Sequence, residues 1–479
     1  MAIDVATPRY VRQDFQLEDL KKLRGMPYAA NWSEVGCMKT STALWDAEDT
    51  LDADPPQGRG PRVLIITTKT GKDPYFQALP EILPEWNFCN VKASSVEWVK
   101  GGNDPSAPRV VLAHYHCFTN KAAMLDALAM VKWDMVIIDE AHRIKNRNAQ
   151  WSKNIRRRIK TKYRRVMTGT GFVNTPDEVW ALLNFLDSKR WSSYWKFRER
   201  YCVEIEVSGF RKVVGIQPRY KQEFRNLLAE IGVRRTKSEV FKDLLDPIHT
   251  PVYVELSPTQ RRMYNEVVAY LKTLDSDGVP ITSPNVISAL TRLRQIAVAT
   301  PRVVGTYSDP KTGRKITEIE LEEPSSKFDA VMEILEGMEW DDDRKDSVVI
   351  FSQFAKACDL MEARLEKAGI SYIRMLPKHN EHKRREMVQA FQNKEAQVFL
   401  CTIDLGGESI TLTAAQTQIN IDKSWSPGKM MQADGRTHRP GQTGQVQIMG
   451  IHAKNTIDNR VQNKLDKSAS WFKMLFPDR

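Results

Sequence analysis

The stretch Val136-Ile137-Ile138-Asp139-Glu140-Ala141-His142 decides how the chain is read. A short β-branched run ends abruptly in two adjacent carboxylates. Its length and branching predict a buried strand. In an α/β protein such a strand delivers its acids to the carboxyl edge of a sheet, where ligands bind. There Asp139 can hold a hydrated Mg²⁺ and Glu140 can orient a water. A strand running into an ordinary polar loop fits the same residues. The choice depends on whether the chain also supplies a phosphate loop, a neutralising arginine and a nucleic-acid surface.

Upstream, Ser33-Glu34-Val35-Gly36-Cys37-Met38-Lys39-Thr40 leads into an expected helix at Ser41–Trp45. Gly36 with Lys39-Thr40 fits the end of a phosphate loop, in which backbone N–H groups and a helix N-terminus face phosphate. Met38 stands where such a loop normally has glycine. Val63–Thr68 and Val110–Ala113 are further strand runs, and with 135–138 they predict a parallel sheet with crossover helices. Phe15-Gln16 opens a helix-spaced segment. A glutamine there can read an adenine edge, or simply be polar.

Beyond the acids come Arg143, Lys145 and Asn146, then a basic run from Lys153 to Arg165. It fits a solvated helix face or a phosphate-tracking surface. Val166-Met167-Thr168-Gly169-Thr170-Gly171 predicts a strand entering a small-residue loop. Thr175-Pro176-Asp177-Glu178 predicts a capping box for a helix through Leu186. Residues 190–245 read as a helical protrusion carrying Arg234-Arg235-Thr236-Lys237.

Asp246-Pro247 and Thr250-Pro251 mark the expected domain boundary. Two amphipathic helices follow, then a hairpin or loop over 303–324. A second α/β pattern begins with the strand Ser347–Ser352. Its helix over 355–368 is closed by Gly369, and strands at 370–375, 397–401 and 418–421 follow. Near the end, Gln432, Arg436 and Arg439 share one face if their segment is helical. Paired guanidinium groups suit a triphosphate.

The 479 residues suffice for two or three domains, and the net charge of +11 is compatible with a polyanion partner. Six scattered cysteines argue against a disulfide framework or a zinc knuckle. No apolar run is long enough to cross a membrane and no signal core opens the chain, so a soluble, cytoplasmic protein is expected.

These motifs resemble the Swi/Snf branch of superfamily-two helicase-like ATPases, over about residues 12–460. The resemblance is most specific at Asp139–Asn146; at Thr168-Gly169-Thr170 with Asn174 and Glu178-Val179-Trp180; and at Trp425-Ser426-Pro427 leading into Gln432, Arg436, Arg439 and Gln442. It implies two tandem RecA-like parallel-sheet lobes with helical insertions. The first would be residues 1–246, with a protrusion at about 172–246. The second would be residues 247–479, with an insertion at about 255–340. It also implies ATP and Mg²⁺ as cofactors and double-stranded DNA as the main partner, with single-stranded DNA or RNA as alternatives.

Carried over residue by residue, the resemblance gives Phe15, Gln16, Gly36, Lys39, Thr40 and Gln432 to nucleotide binding. Thr40 and Asp139 go to Mg²⁺, and Glu140 to the attacking water. Arg436 and Arg439 become arginine fingers. Arg143, Lys145, Asn146, Thr168, Thr170, Arg234, Arg235 and Trp425 would couple the site to DNA. The sequence departs from the family pattern at Met38, Ser33, Gly171, Ser409 and Arg374–Pro377, none of which removes a charged catalytic group. The minimal core is similar to bacterial and bacteriophage versions.

Overall fold

The apolar runs are buried on both faces, as strands of a covered parallel sheet must be. Val63, Ile65, Val110, Leu112, Met135 and Ile137 pack into one core, while Leu64, Ile66, Val111, Ala113, Val136 and Ile138 pack into another. The period-two alternation of a strand sends neighbouring residues to opposite layers of helices. The computed structural model describes residues 10–475, apart from 70, 93–94, 101–107, 120–121, 170–174, 208–209, 277–283, 309–314, 339, 341–346 and 407–409.

The chain divides into two compact units between Phe241 and Lys242, with Ser468–Arg479 assigned to the first. The boundary expected at 246–247 lies a few residues further on. In the first unit the order is α1 (Asp14–Arg24), β1 (Tyr28–Asn31), α2 (Lys39–Ala53), β2 (Arg62–Thr67), α3 (Asp73–Ile82), β3 (Asn87–Asn90), α4 (Val96–Lys100), β4 (Arg109–His114), α5 (Ala122–Met130), β5 (Trp133–Ile138), α6 (Gln150–Arg158) and β6 (Thr161–Met167). Then come α7 (Trp180–Leu186), α8 (Tyr194–Tyr201), β7 (Cys202–Val207), β8 (Phe210–Ile216), α9 (Lys221–Glu230), β9 (Gly232–Val233) and α10 (Lys237–Val240). The sheet order is β3-β4-β2-β5-β6-β1-β9, parallel throughout.

The protrusion, expected to be helical and irregular, also contains strands. β7 and β8 form an antiparallel hairpin inside it, and β9 rejoins the main sheet beside β1. The capping box at Thr175 is also absent. Thr175 makes no side-chain cap, Pro176–Val179 is a 3-10 turn, and α7 starts only at Trp180. Glu178 pairs instead with Lys145, an ionic partner stronger than a backbone N–H.

The second unit runs β10 (Ile248–Val254), α11 (Pro258–Ser276), α12 (Pro284–Val298), β11 (Thr300–Ser308), β12 (Lys315–Glu322), α13 (Ser326–Glu336), β13 (Ser347–Ser352), α14 (Ala355–Lys367), β14 (Tyr372–Arg374), α15 (Glu381–Gln392), β15 (Val398–Thr402), α16 (Ile403–Gly406), β16 (Ala415–Asn420), α17 (Pro427–Thr437), β17 (Gln447–Ala453) and the part of α18 (Ile457–Leu475) up to Lys467. Its parallel sheet has the order β10-β17-β16-β13-β15-β14, and β11 pairs with β12 as a separate hairpin. Val348, Ile350, Val398 and Leu400 face one core, and Val349, Phe351, Phe399 and Cys401 the other. Gly369 takes the left-handed turn (φ 68°) after α14, as its place beyond the helix end requires. The two RecA-like parallel-sheet lobes are thus present. Among the described residues no helix is long and apolar enough to cross a membrane.

Candidate functional site

Four neighbouring strands of the first unit, β2, β5, β6 and β1, end on the same edge of the sheet, and each contributes a residue there. From β1 the chain enters the loop 32–38 and then α2. Gly36 (φ 95°) and Met38 (φ 50°) turn the loop, both in the left-handed region. That conformation costs a side-chain-bearing residue about 1–2 kcal/mol. This explains why glycine suits the position Met38 occupies. The first turn of α2 presents the N–H groups of Lys39, Thr40 and Ser41, which lack helical acceptors. The Lys39 ammonium donates to the carbonyls of Ser33 (2.9 Å) and Glu34 (2.6 Å), so a phosphate would have to exchange for these acceptors.

From β5 come the two acids. Asp139 accepts from the Thr67 hydroxyl at the end of β2 (3.1 Å) and from the Glu140 N–H (2.9 Å). Burial, then the Glu140 charge, push Asp139 up to about 6, while Lys39 and the two hydrogen bonds oppose the shift. The Lys39 charge thus favours the ionised form of Asp139. Tyr75 is fully buried, and burial and Asp139 hold its phenol far above the usual range. Glu140 sits in the left-handed region (φ 49°). Its carboxylate lies 3.3 Å from His142 Nδ1, which lies 3.4 Å from the Thr168 hydroxyl just past β6. The one His142 nitrogen can donate to the Glu140 carboxylate or accept from the Thr168 hydroxyl, not both at once, so His142 stands between the second acid and the next strand end as an alternative partner of either.

The loop between β1 and α2 is held from two sides. After β6, Gly169 lies so close that a Cβ there would stand 2.5 Å from Lys39 Nζ and 2.7 Å from both Ser33 O and Val35 N. After β9, the Arg235 N–H donates to Ser33 Oγ (3.0 Å), Glu34 N–H donates to Arg235 O (2.9 Å), and Lys237 N–H donates to the Glu34 carboxylate (3.0 Å). The Arg235 guanidinium binds Asp19 (2.8 Å) and Glu18 (2.8 Å) on α1 and stands over the Phe15 ring (6.0 Å). Arg234 lies 4.0 Å from Glu34. Arg235 is thereby placed as a latch joining α1 to the loop, not as a free cation on a DNA-facing surface. Gln16 is fully buried and donates to Ser41 (3.1 Å) and Thr42 (2.8 Å) at the start of α2. It lies beside the loop with its amide already engaged.

Of the remaining expected residues, Arg143 and Asn146 are exposed, and Lys145 is tied to Glu178 (3.1 Å). Thr170, Gly171 and Asn174 lie outside the described residues, as does Ser409. Much of the basic run is structural. Arg165 is buried against Asp46 (2.6 Å), Arg164 donates to Phe185 O (2.8 Å), Arg156 to Asn184 (2.8 Å), and Arg158 pairs with Asp126 (2.6 Å). Arg157 and Lys160 stay exposed.

In the second unit α17 ends at Thr437, so Arg439 lies beyond the helix and the expected common helical face does not form. The C-cap His438 leaves helical geometry (ψ 83°), and its ring meets Leu245 O (3.0 Å). The two arginines still converge. Arg436 and Arg439 donate to Ile410 O (3.3 and 3.2 Å), and Arg439 also to Thr411 Oγ1 (2.9 Å). Gln432 is half-buried on α17. Trp425 has Arg294 at 5.9 Å and Lys464 at 5.5 Å from its ring. Sequence reasoning missed Thr67, Tyr75 and Tyr115 in the first unit. A lone hydroxyl at a strand end carries no spacing signal.

A family model described as SNF2-related domain matches residues 62–301, and one described as helicase conserved C-terminal domain matches residues 326–441. The chain belongs to the SNF2-related family. The matches contain Asp139, Glu140, Thr168, Arg436 and Arg439, while the phosphate-loop candidate lies upstream of both. This SNF2-related chain is 27% identical over 372 residues to the transcription regulatory protein SNF2 of Saccharomyces cerevisiae, covering 74% of this chain and 21% of that protein. It is 30% identical over 339 residues to a probable chromatin-remodeling complex ATPase chain of Oryza sativa subsp. japonica, covering 70% and 29%. It therefore spans less than a third of the length of either relative. Among solved structures, the Sulfolobus solfataricus SWI2/SNF2 ATPase core in complex with dsDNA matches with a TM-score of 0.45 at 23% identity, over 99% of this chain and 95% of that one.

Proposed function

We propose that this SNF2-related chain is an ATP-hydrolysing motor that moves along double-stranded DNA. The observation that carries the reading is the gathering of Lys39, Asp139, Glu140, His142 and Thr168 at neighbouring strand ends on one sheet edge. Membership of a family with chromatin-remodeling ATPases, and the net charge of +11, favour DNA as the track. In bacterial or phage-infected cells such a motor works in the cytoplasm.

In this reading Lys39 and the first turn of α2 bind the β/γ-phosphates, and Gln16 and Phe15 border the base. The donors fit Mg²⁺, which takes one or two carboxylates and keeps waters. Asp139 is one carboxylate and Thr40 a hydroxyl. No cluster of three or more His, Cys, Asp or Glu offers a dedicated cage among the described residues. When bound, the ion would neutralise charge on the phosphate oxygens. Glu140 orients the attacking water, and His142, whose Nδ1 can turn to Glu140 or to Thr168 but not to both, is placed to register which of them it bonds. Arg436 and Arg439 supply transition-state charge, an effect worth roughly 10³–10⁵ in other nucleotide hydrolases.

The test is ATP hydrolysis with duplex DNA, single-stranded DNA or RNA, beside Glu140→Gln. The expected result is stimulation by duplex DNA, lost in Glu140→Gln with nucleotide binding kept. Equal activity without nucleic acid refutes the motor. Displacement of a third strand from a triplex, without unwinding of a fork, separates translocation from strand separation.

A further inference from the structure

Tyr115 follows β4, and β4 is separated from β5 by β2. Two strand spacings are about 10 Å, within reach of a phenol lying across the end of β2. The ring is buried in the core, 4% exposed. Its hydroxyl donates to the main-chain oxygen of Asp139 and lies 3.1 Å from that of Glu140. These two carbonyls belong to the peptide planes on either side of the Glu140 Cα. Glu140 holds φ 49° and ψ 48°, a conformation that an L-residue keeps only when its surroundings impose it. The orientation of those two planes fixes where the Glu140 Cα–Cβ bond points.

We propose that Tyr115 is a positioning residue for ATP hydrolysis, holding Glu140 in its left-handed conformation through the carbonyls of both acids. The inference rests on the role assigned above to Glu140. Tyr115 touches no substrate. It works on the acid from behind, while Thr67 holds the neighbouring carboxylate from the side. The hydroxyl has one proton for two carbonyls, so its loss frees both peptide planes together. The Glu140 carboxylate can then wander from the water it orients, and small misplacements of a reacting group carry large rate penalties.

The test is a double-mutant cycle of Tyr115→Phe with Glu140→Gln, read by single-turnover ATP hydrolysis with DNA, alongside stoichiometric nucleotide binding and thermal melting. Tyr115→Phe is expected to lower kcat roughly 10- to 100-fold, with KM for ATP within about twofold and every molecule still binding nucleotide. In the Glu140→Gln background the same change is expected to alter the residual rate by less than about twofold, because Tyr115 acts through Glu140. A wild-type rate in Tyr115→Phe overturns the inference. So does an equal fall in both backgrounds, which marks general loosening. Hydrolysis undiminished in Glu140→Gln alone refutes the role of Glu140 first, and is thereby distinguished. If Tyr115→Phe does not fold, Tyr115→Met, a smaller but adaptable apolar side chain without the hydroxyl, must give the same cycle.

Discussion

Replacing Gly169 with alanine isolates the contact between the end of β6 and the loop 32–38, proposed above to bind phosphate. The added Cβ would stand 2.7 Å from Ser33 O and Val35 N and 2.5 Å from Lys39 Nζ. Ordinary contact begins near 3.4 Å, so two backbone atoms of the loop must each retreat by about 0.7 Å. The lysine tip can swing aside, but the two backbone atoms cannot. Ser33 is pinned by Arg235, and the Asn31 side chain accepts from its N–H (3.0 Å). Overpacking of this kind costs about 1–3 kcal/mol. If the strain falls on the loop, nucleotide affinity drops roughly 5- to 150-fold, since 1.4 kcal/mol is tenfold. Titration with a fluorescent nucleotide measures the affinity, and a melt in the absence of nucleotide measures the rest. Wild-type affinity together with a wild-type melting temperature would show that the loop does not press on Gly169, and the account of the site would fail with it.

Two further predictions concern charge. Asp139 binds its proton more tightly folded (about 6) than unfolded (3.8). Its contribution to stability is therefore whole below the lower value and is lost as pH rises through the upper one. Asp139→Asn, measured in EDTA, should exceed the wild type by about 1–3 kcal/mol at pH 8 and lose most of that margin by pH 4; urea denaturation at the two pH values giving one constant difference would refute it. Arg165 and Asp46 are both almost fully buried, so Arg165→Met alone should cost about 3–5 kcal/mol, while Arg165→Met with Asp46→Leu should recover most of it. A single substitution costing less than about 1 kcal/mol in the same measurement would show that the pair is not desolvated.

What the sequence reveals follows from where each signal originates. β2, β4, β5, β13 and β15 are covered on both faces, so their apolar runs are continuous and unmistakable. β1 reads Tyr-Ala-Ala-Asn, too short and small to stand out, although it leads into the loop 32–38. β10 is an edge strand with alternating exposure. Pro251 is tolerated there, so the Thr250-Pro251 that reads as a break lies within a strand. The acids, Lys39 and the paired arginines are legible because their chemistry demands fixed residue types in order. The second partners are not. Nothing local marks Arg235 as the ligand of Asp19, or Tyr115 as the donor to the acids, because each pairing joins segments distant in sequence. The Thr175 cap is legible but wrong, since Glu178 finds a cation that the linear pattern does not contain.

The chain leaves the sheet at the end of β6 and returns in β9, and Gly169 and Arg235, each just past one of these strands, both bear on Ser33 and its neighbours. Everything between is an excursion with its two feet on one small loop. Chain added to or removed from that excursion changes closure entropy only slowly with length. The same architecture can therefore carry very different appendages over one unaltered sheet edge. A pull on the excursion, in contrast, arrives at the loop 32–38 from both sides at once.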